Sequence, residues 1–417
     1  MAKHYNILII GGGTAGIMTA AQLRNKDKNI SIGLIEPSEK HWYQPAWTLV
    51  GAGTYDMKKT VRPEKDFIPE KVDWIKKYAD KFDPENNKVI TKDGEEYTYD
   101  YLVVAPGIQI NLDGIKGLKE SIGKNGVCSN YVDPEYTWKV LQEFKGGNAI
   151  FTQPTTPIKC GGAPQKIMYL ADEYFRKTGV RDKSQIIFAT PGSVIFGVSP
   201  FKEELERIVQ KKGIITKFNY VLTEIEGDKK IAHFKLAQSG DNACVINEMP
   251  EIQEQVEGDM QVKIPFEMLH LAPPQSTPDF VRNSPLANAD GWLDVDINTL
   301  QHKKYPNIFG LGDVAALPTA KTGAAVRKQA PVVVGNILHL MKDHKLGDKK
   351  YEGYSSCPLV TGYGKMLLAE FKYNNVRDSD PLLSKFVDTS KERWSMWILK
   401  KYGLPYLYWN KMLRGKM

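Results

Sequence analysis

The chain has 417 residues, of which 42% are hydrophobic and 25% charged, as in soluble globular proteins. Its length is too great for one ordinary hydrophobic core and predicts two or three domains. The net charge of +7 is mildly basic and compatible with attraction to an anionic membrane surface. The sequence has no dense basic run and no nucleic-acid motif, so nucleic acid is not expected as a partner.

The start of the chain and its cysteines bear on where the protein works. The opening MAKHYNILIIGGG has too short an apolar run for a signal peptide, and no stretch reaches the ~18 apolar residues of a spanning helix. We therefore expect a location inside the cell. There is no CxxC pair or Cys/His cluster, so neither a metal site nor a disulfide framework is expected. The chain has four cysteines: Cys128, Cys160, Cys244 and Cys357.

The hydrophobic pattern alternates between strands and helices along the chain. YNILIIGGGTAGIMTAAQL predicts a strand, a glycine turn and a helix, and NISIGLIEPS predicts a second strand. KVITKDGEEYTYDYLVVAPG predicts a β-hairpin with Asp93 and Gly94 in its turn. A second series begins at NAIFTQP, with a helix in PFKEELERIVQKKG and strands in IITKFNYVLTEIEGDKKIAHFKL. YPNIFGLGDVAAL returns to a strand and a turn, and QAPVVVGNILHLMKDHK predicts a helix.

The first glycine turn fits the G-x-G-x-x-G pattern of dinucleotide-binding proteins. Gly11 allows the tight turn, Gly13 lets the backbone approach a pyrophosphate, and Gly16 lets helix and strand pack closely. The helix amino terminus, which includes Thr14 and Ala15, supplies N–H groups and a positive dipole. Glu36 follows 20 residues after the last glycine and can accept a hydrogen bond from a ribose hydroxyl.

Two later stretches favour FAD over NAD as the dinucleotide. YLVVAPG at 101–107 and NIFGLGDVAALPTAKTGAA at 307–325 resemble the further fingerprints of flavoproteins with two dinucleotide-binding folds. In that family the aspartate, here Asp313, binds the ribityl chain of FAD, and Lys321 would add positive charge near the reduced flavin. The resemblance adds these cofactor-binding residues: Gln44, Ala105, Pro106, Gly107, Gly312 and Thr322.

The second strand–turn–helix unit lacks a glycine loop for a nucleotide. Its turn reads TQPTTPIKCGGAP, in which Pro154 and Pro157 remove N–H donors and threonines crowd the phosphate approach. We expect this domain to keep the Rossmann shape without binding NAD(P)H. The electron donor must then reach the flavin by another route, and Cys160 lies in this turn, just before a helix whose dipole favours a thiolate.

At this point the sequence resembles the sulfide:quinone oxidoreductases, and among them the branch that includes the mitochondrial enzyme. The resemblance covers nearly the whole chain. It is strongest in these stretches: YQPAWTLVGAG, PIKCGGAPQKIMYLADEYFRKTG, EMLHLAPPQ, GWLDVDINTLQHKKYPNIFGLGD, GYSSCPLVTGYGK and LYWNKMLRG.

The resemblance implies that Cys160 and Cys357 flank the flavin and cycle as a disulfide or sulfur-bridged pair. Hydrosulfide attacks the sulfur held at Cys357 and leaves a persulfide there, while Cys160 departs as the thiolate that reduces FAD. The sulfane sulfur passes to a small thiol, sulfite or polysulfide, and a quinone, ubiquinone or menaquinone, takes the electrons. Lys166 and Lys400 match lysines near the sulfur and quinone chemistry. Other branches carry a third cysteine, here Cys128, which in some binds FAD covalently, but a buried thiol is the preferred interpretation.

The end of the chain predicts a membrane-surface segment. Residues 391–417 hold six Trp or Tyr and seven Lys or Arg against one Glu. Trp394, Trp397 and Ile398 are predicted to share a helical face, with aromatic rings at headgroup depth and bases toward anionic lipid. The alternative is a C-terminal helix that packs on the core. Phe371, Tyr402 and Tyr406 are candidates for the quinone site.

Together these patterns predict an α/β fold of two Rossmann-like domains with an amphipathic, membrane-facing C-terminal segment. The FAD domain is expected to be discontinuous, at 1–115 and 291–350, with the second domain at 116–290 and a quinone and membrane region at 351–417. The expected protein is a peripheral enzyme on the cytoplasmic face of the membrane, with a homodimer among the expected assemblies. Two alternatives stay open: a type-II NADH:quinone oxidoreductase of the same fold, and a non-catalytic carrier or sensor of sulfane sulfur.

Overall fold

The computed structural model describes residues 2–237, 249–258 and 260–417. Its first sheet is built on parallel strands, extended on one side by a hairpin of Ala79–Asp83 and Lys88–Thr91. The parallel strands, in spatial order, are Val72–Ile75, Ile32–Ile35, Lys3–Ile10, Glu96–Val104 and Ile308–Gly310. The predicted hairpin is confirmed, because Lys88–Thr91 pairs antiparallel with Glu96–Val104.

Packing on both faces explains the apolar run in the first strand. Residues 7–10 are fully buried, as expected for a central parallel strand covered by helices on each side. One covering face includes helices Thr14–Lys26 and Gly323–Asp343, which lie against each other. The carboxyl ends of parallel strands meet at one edge, and in open α/β sheets ligands bind beyond that edge.

The second sheet is also parallel. Its strands, in spatial order, are Val127–Cys128, Met268–Leu271, Gly147–Thr152, Ser184–Thr190 and Ile215–Phe218. The buried helix Ala163–Thr178 follows Gly147–Thr152 and ends at Gly179, which adopts the left-handed conformation common at helix ends.

Antiparallel pieces complete the sheet structure. One sheet joins Tyr220–Glu226, Ile231–Leu236, Gln261–Pro265 and Gln255–Val256. Another joins Ser355–Gly362, Lys365–Lys372 and Val376–Arg377, and its first strand packs against helix Ala163–Thr178. Two short pairs are Lys40–Trp42 with Val61–Pro63, and Gln109–Ile110 with Gln275–Ser276.

The other helices are mostly short. They are Trp47–Val50, Leu118–Ser121, Pro134–Glu143, Phe201–Lys212, Asp279–Arg282, Pro381–Phe386, Trp394–Ile398 and Leu404–Leu407. Wide helical turns at Leu399–Gly403 and Tyr408–Met412 continue the last two into one winding segment. Across the three described ranges, none of the helices is long and apolar enough to cross a membrane. Cys244 lies outside the described residues.

Candidate functional site

Three strand ends of the first sheet converge on one cleft. Gly11, with a φ of +97°, lies so close to the next strand end that an added Cβ would sit 2.5 Å from the carbonyl oxygen of Ala105 and 2.6 Å from the Cα of Pro106. A Cβ added to Gly312 would likewise lie only 3.1 Å from the Cβ of Ala15. The predicted glycine positions therefore allow the backbones to approach one another, as the fingerprint requires.

Open space lies beside the start of the first helix. Apart from chain neighbours and the local helix backbone, no heavy atom of the described residues lies within 4 Å of the position that a Cβ on Gly13 or on Gly107 would take. Gly13 is the N-cap of helix Thr14–Lys26, and no side chain caps that terminus. A pyrophosphate fits this place, because helix amino termini offer N–H donors and a positive dipole to anions.

Glu36 lies at the end of the second strand of this cleft. Its carboxylate accepts hydrogen bonds from the backbone N–H of Gly12 and of Ser38, each at 2.7 Å. Burial raises the pKa of Glu36, and the two N–H donors partly offset that rise. The acceptor capacity left on these oxygens suits ribose hydroxyls.

Asp313 and Lys321 line the opposite end of the cleft. Lys321 Nζ donates to the carbonyl oxygens of Asp313 and Ala315, at 2.7 and 3.0 Å. Burial lowers the pKa of Lys321 to about 8, although the Asp313 carboxylate opposes that shift. The same burial raises the pKa of Asp313. Such poorly solvated groups suit contact with a polar cofactor more than a structural ion pair.

The structure adds one residue that the sequence did not point to, Gln329, and gives partners to two that it did, Thr322 and Gln44. Gln329 Oε1 accepts from the N–H of Gly312 at 2.8 Å and so fixes that turn. Thr322 is the N-cap of helix Gly323–Asp343, and its hydroxyl accepts from the N–H of Ala325. That helix begins earlier than QAPVVVGNILHLMKDHK predicts. Gln44, expected to contact the cofactor, receives the ammonium of Lys159 at 2.6 Å. The residues around the cleft fit FAD, whose diphosphate, ribose and polar ring edge each meet suitable groups.

The structure brings two distant thiols together. The Sγ atoms of Cys160 and Cys357 lie 3.9 Å apart, although the residues are 197 positions apart in sequence. Cys160 is partly exposed, whereas Cys357 is only 3% exposed. Both thiols are free, and an approach of about 2 Å would join them, since a disulfide bond is about 2.05 Å long.

The backbone holds Cys160 in an unusual conformation. Its φ is +55°, in the left-handed region that residues other than glycine, asparagine and aspartate rarely adopt. Its N–H donates to the carbonyl of Lys321, and its own carbonyl accepts from Ala163 N–H, both at 2.8 Å. Tyr131 adds a hydroxyl donor to the same carbonyl at 3.3 Å. A strained conformation fixed from several sides is typical of functional sites.

The two thiols are electrostatically unequal. The Cys357 thiol donates toward Cys160 and, together with the ammonium of Lys166, holds the pKa of Cys160 well below its usual value despite burial. The same hydrogen bond and burial raise the pKa of Cys357 well above its usual value. Lys166, itself 2% exposed, keeps its charge because the negative sulfur outweighs the effect of burial and raises its pKa. Cys160 is therefore the more acidic thiol of the pair.

Lys400 adds a second buried cation near the sulfurs. It is 3% exposed, and its Nζ donates to the carbonyl of Pro45 at 2.8 Å. Burial, together with the charge of Lys166, lowers the pKa of Lys400 to about 8. It lies in the wide turn Leu399–Gly403, a helix irregularity often seen at functional sites.

The side chains of Lys159 and Cys128 have surroundings of their own. Lys159 is adjacent to Cys160 in sequence, but its ammonium turns to Gln44 and away from the sulfur. Cys128 is fully buried in a short strand, and burial raises its pKa to about 12. Neither observation supports a role for these two side chains in sulfur chemistry.

The aromatic C-terminal segment separates into two groups. Trp394 is 68% exposed whereas Trp397 is 7% exposed, so these two do not share one outer face as predicted. Tyr402 and Tyr406 are also exposed. A second group lies in the core beside the first sheet, as in the alternative interpretation of a packed helix: Tyr408, Trp409, Met412 and Leu413.

Comparisons with known proteins place the chain among related sequences. A family model described as pyridine nucleotide-disulphide oxidoreductase matches residues 5–140. The chain is 44% identical to the mitochondrial sulfide:quinone oxidoreductase of Mus musculus, over 99% of this chain and 87% of that protein. It is 46% identical to the mitochondrial sulfide:quinone oxidoreductase of Dictyostelium discoideum, over 98% and 86%.

Solved structures show the same fold. The sulfide:quinone oxidoreductase of Aquifex aeolicus has a TM-score of 0.80 at 22% identity, over 100% of this chain and 92% of that one. A structure of NDH2 from Plasmodium falciparum has a TM-score of 0.64 at 12% identity, over 100% and 99%. At these identities the likeness concerns the fold alone.

Proposed function

Because the chain belongs to the sulfide:quinone oxidoreductase family, we propose that Cys160 and Cys357 oxidise hydrogen sulfide and that the electrons reach a membrane quinone. The protein is an FAD-dependent oxidoreductase with a quinone as electron acceptor. Bound FAD would supply two-electron redox chemistry between the reduced thiol pair and the quinone. One observation carries the proposal: the two sulfurs lie 3.9 Å apart, and a buried ammonium lies 2.9 Å from one of them.

The sulfur step follows from the inequality of the thiols. Hydrosulfide attacks the sulfur of Cys357 in the joined pair, the bond between the cysteines breaks, and Cys160 leaves with the electron pair as a thiolate. Cys357 then carries the incoming sulfur as a persulfide. The better leaving group is the thiol of lower pKa, and Lys166 stabilises it as an anion. The burial of Cys357 shields the persulfide from bulk water.

We assign entry of sulfide and exit of sulfur to a cleft on the second sheet's turn. This cleft has a volume of about 410 Å³ and is lined by Gln153, Ile158, Gly161 and Lys321 among others. Gly161 directly follows Cys160, so the cleft is lined by the segment that carries the more accessible sulfur. A small thiol, sulfite or a polysulfide has a suitable size as acceptor: its nucleophilic atom takes the sulfane sulfur and Cys357 returns as a thiolate.

The exposed aromatics support a peripheral place on the membrane. Trp394, Tyr402 and Tyr406 are exposed among lysines and arginines, which is the composition of an interfacial anchor. We propose that quinone reaches the flavin through this surface, from the cytoplasmic face of the membrane. The proposed division of the chain is a cofactor domain at 1–115 and 291–350, a second domain at 116–290 and the membrane region at 351–417.

Anaerobic addition of sulfide to the yellow protein tests the proposal. We expect rapid loss of the flavin colour, and we expect Cys160→Ser to abolish that loss while FAD stays bound. Cys128→Ser is the matched control, since it alters a buried thiol outside the pair and should bleach as wild type does. Fast bleaching in Cys160→Ser would count against the mechanism. Bleaching by NADH would instead support a type-II NADH:quinone oxidoreductase, and a protein that binds sulfane sulfur without quinone turnover would be a carrier.

A further inference from the structure

A buried chain of hydrogen bonds joins the C-terminal segment to the first helix. Glu64 Oε2 lies 2.9 Å from His41 Nδ1, and His41 Nε2 lies 2.7 Å from the hydroxyl of Tyr408. The same hydroxyl lies 2.7 Å from Thr14 Oγ1, across 394 positions of sequence. Thr14 is the first residue of helix Thr14–Lys26, so the chain of hydrogen bonds ends at the proposed diphosphate site.

The segment around Tyr408 packs against the first domain. The ring centroid of Tyr408 lies 4.7 Å from that of Tyr43, and the ring of the neighbouring Trp409 lies 5.0 Å from that of Phe67. Asn25 on the first helix donates to the carbonyl of Arg414 at 3.0 Å. The side chains of Glu64, His41 and Tyr408 are 2%, 3% and 6% exposed, so water cannot replace these hydrogen bonds easily.

A second observation points from this network to the cofactor. The other carboxylate oxygen of Glu64, Oε1, is buried and has no hydrogen-bond partner among the described residues. It lies at the glycine turn, 2.8 Å from where a Cβ on Gly12 would lie, and the side chain of Glu36 comes equally close to that position. An unpartnered carboxylate oxygen there needs a donor, and a ribose hydroxyl or a water held by the cofactor can supply one.

We propose that residues 408–417, here called the tail latch, form part of the FAD site, and that FAD binding and latch docking stabilise each other. Tyr408 is the positioning residue: it orients the Thr14 hydroxyl at the diphosphate and holds His41 and Glu64 beside the glycine turn. Coupling of this kind is reciprocal, because each event strengthens the other by the same factor. The inference rests on FAD as cofactor and is independent of the sulfur chemistry.

The donor directions explain how the coupling arises. A phosphate oxygen accepts hydrogen bonds, so Thr14 must direct its own proton to the phosphate. Tyr408 then donates its proton to Thr14, and His41 donates from Nε2 to the Tyr408 oxygen. In that direction His41 uses Nε2 as its donor to Tyr408, while Nδ1 faces the Glu64 carboxylate. Bound FAD therefore selects one direction of the network, and the docked latch keeps that direction available.

The test compares Tyr408→Phe with Tyr402→Phe in the full-length holoprotein. Tyr408→Phe keeps the packed ring and removes only the hydroxyl, whereas Tyr402 is an exposed tyrosine of the same segment. After dilution into FAD-free buffer, flavin fluorescence reports FAD release. We expect release from Tyr408→Phe to be roughly 5- to 30-fold faster, the effect of losing a buried hydrogen bond, and release from Tyr402→Phe to match wild type.

Proteolysis of the latch provides the reciprocal readout. Trypsin can cut after the exposed Lys411 and Arg414, and mass spectrometry follows the shortened chain. Added FAD should slow this cleavage in the wild type and slow it less in Tyr408→Phe and in Thr14→Ala. If the two residues act through their shared hydrogen bond, the double variant should release FAD no faster than the faster single variant.

Two outcomes would overturn the inference. One is a folded Tyr408→Phe protein that releases FAD at the wild-type rate. The other is latch cleavage that does not respond to FAD in the wild type. Should Tyr408→Phe fail to fold, Thr14→Ala decides the question, because it leaves the latch sequence intact and still predicts faster latch cleavage. No arm uses sulfide, so failure here is distinguishable from failure of the proposed function.

Discussion

The ammonium of Lys166 lies 2.9 Å from the sulfur of Cys160, and both come from one turn and the first helical residues after it. The turn consists of Cys160 in the left-handed conformation, followed by Gly161, Gly162 and the start of helix Ala163–Thr178. Local backbone geometry therefore positions both the cation and the thiolate. Cys357 reaches the pair from a different sheet. The acidic thiol is therefore supported by its own segment, and its partner arrives by tertiary packing.

Replacing Lys166 should weaken the acidity of Cys160. Lys166→Met removes the nearest positive charge, so we expect the pKa of the Cys160 thiol to rise. Alkylation of Cys160 by iodoacetamide, measured against pH, should be about tenfold slower or more at neutral pH and recover in alkali. Lys159→Met is the control, since Lys159 is adjacent to Cys160 but its ammonium binds Gln44. Equal effects of both variants would contradict the assignment.

Even a methyl group added at Gly162 should disturb the packing around the thiol pair. An added Cβ would lie 2.5 Å from Cys357 Sγ and 2.6 Å from Leu359 Cδ2. Gly162→Ala should therefore push the two sulfurs apart and suppress sulfide-dependent flavin reduction by tenfold or more, while FAD stays bound. Gly161→Ala is a close control, because no heavy atom lies within 4 Å of its added Cβ. Rapid flavin reduction in Gly162→Ala would show that the pair tolerates displacement.

Burial of Lys400 should make stability depend on pH. Its pKa is about 8 when folded and 10.5 when unfolded, so between these values the unfolded chain binds the proton that the folded chain has released. The free energy of unfolding should thus rise with pH across that window, by about 3 kcal/mol at most. Lys400→Met should lose its share of this slope, while the buried Lys321, whose pKa is also about 8, keeps contributing to it. Lys401→Met should keep the full slope, as measured by urea unfolding with saturating FAD at pH 7.5 and pH 10.

Membrane binding should depend on the exposed aromatics of the C-terminal segment. Replacing Trp394, Tyr402 and Tyr406 together by Ser should reduce sedimentation with anionic vesicles by tenfold or more, because the rings bury apolar area at the interface. Tyr78→Ser, which alters an exposed tyrosine of the first sheet, should bind vesicles as wild type does. Undiminished binding of the triple variant would place the membrane contact elsewhere.

FAD should be held without a covalent bond. The Cys128 thiol is fully buried in a short strand, and its raised pKa keeps it protonated and unreactive. Acid precipitation should therefore release all the FAD into the supernatant, from wild type and from Cys128→Ser alike. FAD that stays with the precipitated wild-type protein, but not with the variant, would reverse this conclusion.

The cofactor cleft could be predicted from sequence because its parts are local. Each glycine turn follows its strand directly, and parallel strands bring their carboxyl ends to one edge. The cysteine pair was different: 197 residues separate Cys160 from Cys357, and only the resemblance to a family joined them. Neither the sequence around Cys160 nor the sequence around Cys357 indicates which residue its thiol contacts.

Three features could not be read from sequence for physical reasons. Lys159 is adjacent to Cys160 in sequence, but its ammonium donates to Gln44. Tyr408 and Tyr406 have the same chemistry two positions apart, and only packing makes one buried and the other exposed. The contact of Lys400 with Pro45 depends on the tertiary path of the last segment.

The docked position of Tyr408, Trp409, Met412 and Leu413 affects how the protein is made. These residues pack in the same core cluster as the first strands, yet the ribosome adds them about 400 residues later. The amino-terminal half therefore keeps apolar surface uncovered until these residues have been translated. The first strands are synthesised long before the residues that complete their core. Nascent chains should therefore depend on chaperones more than their local strand and helix patterns suggest.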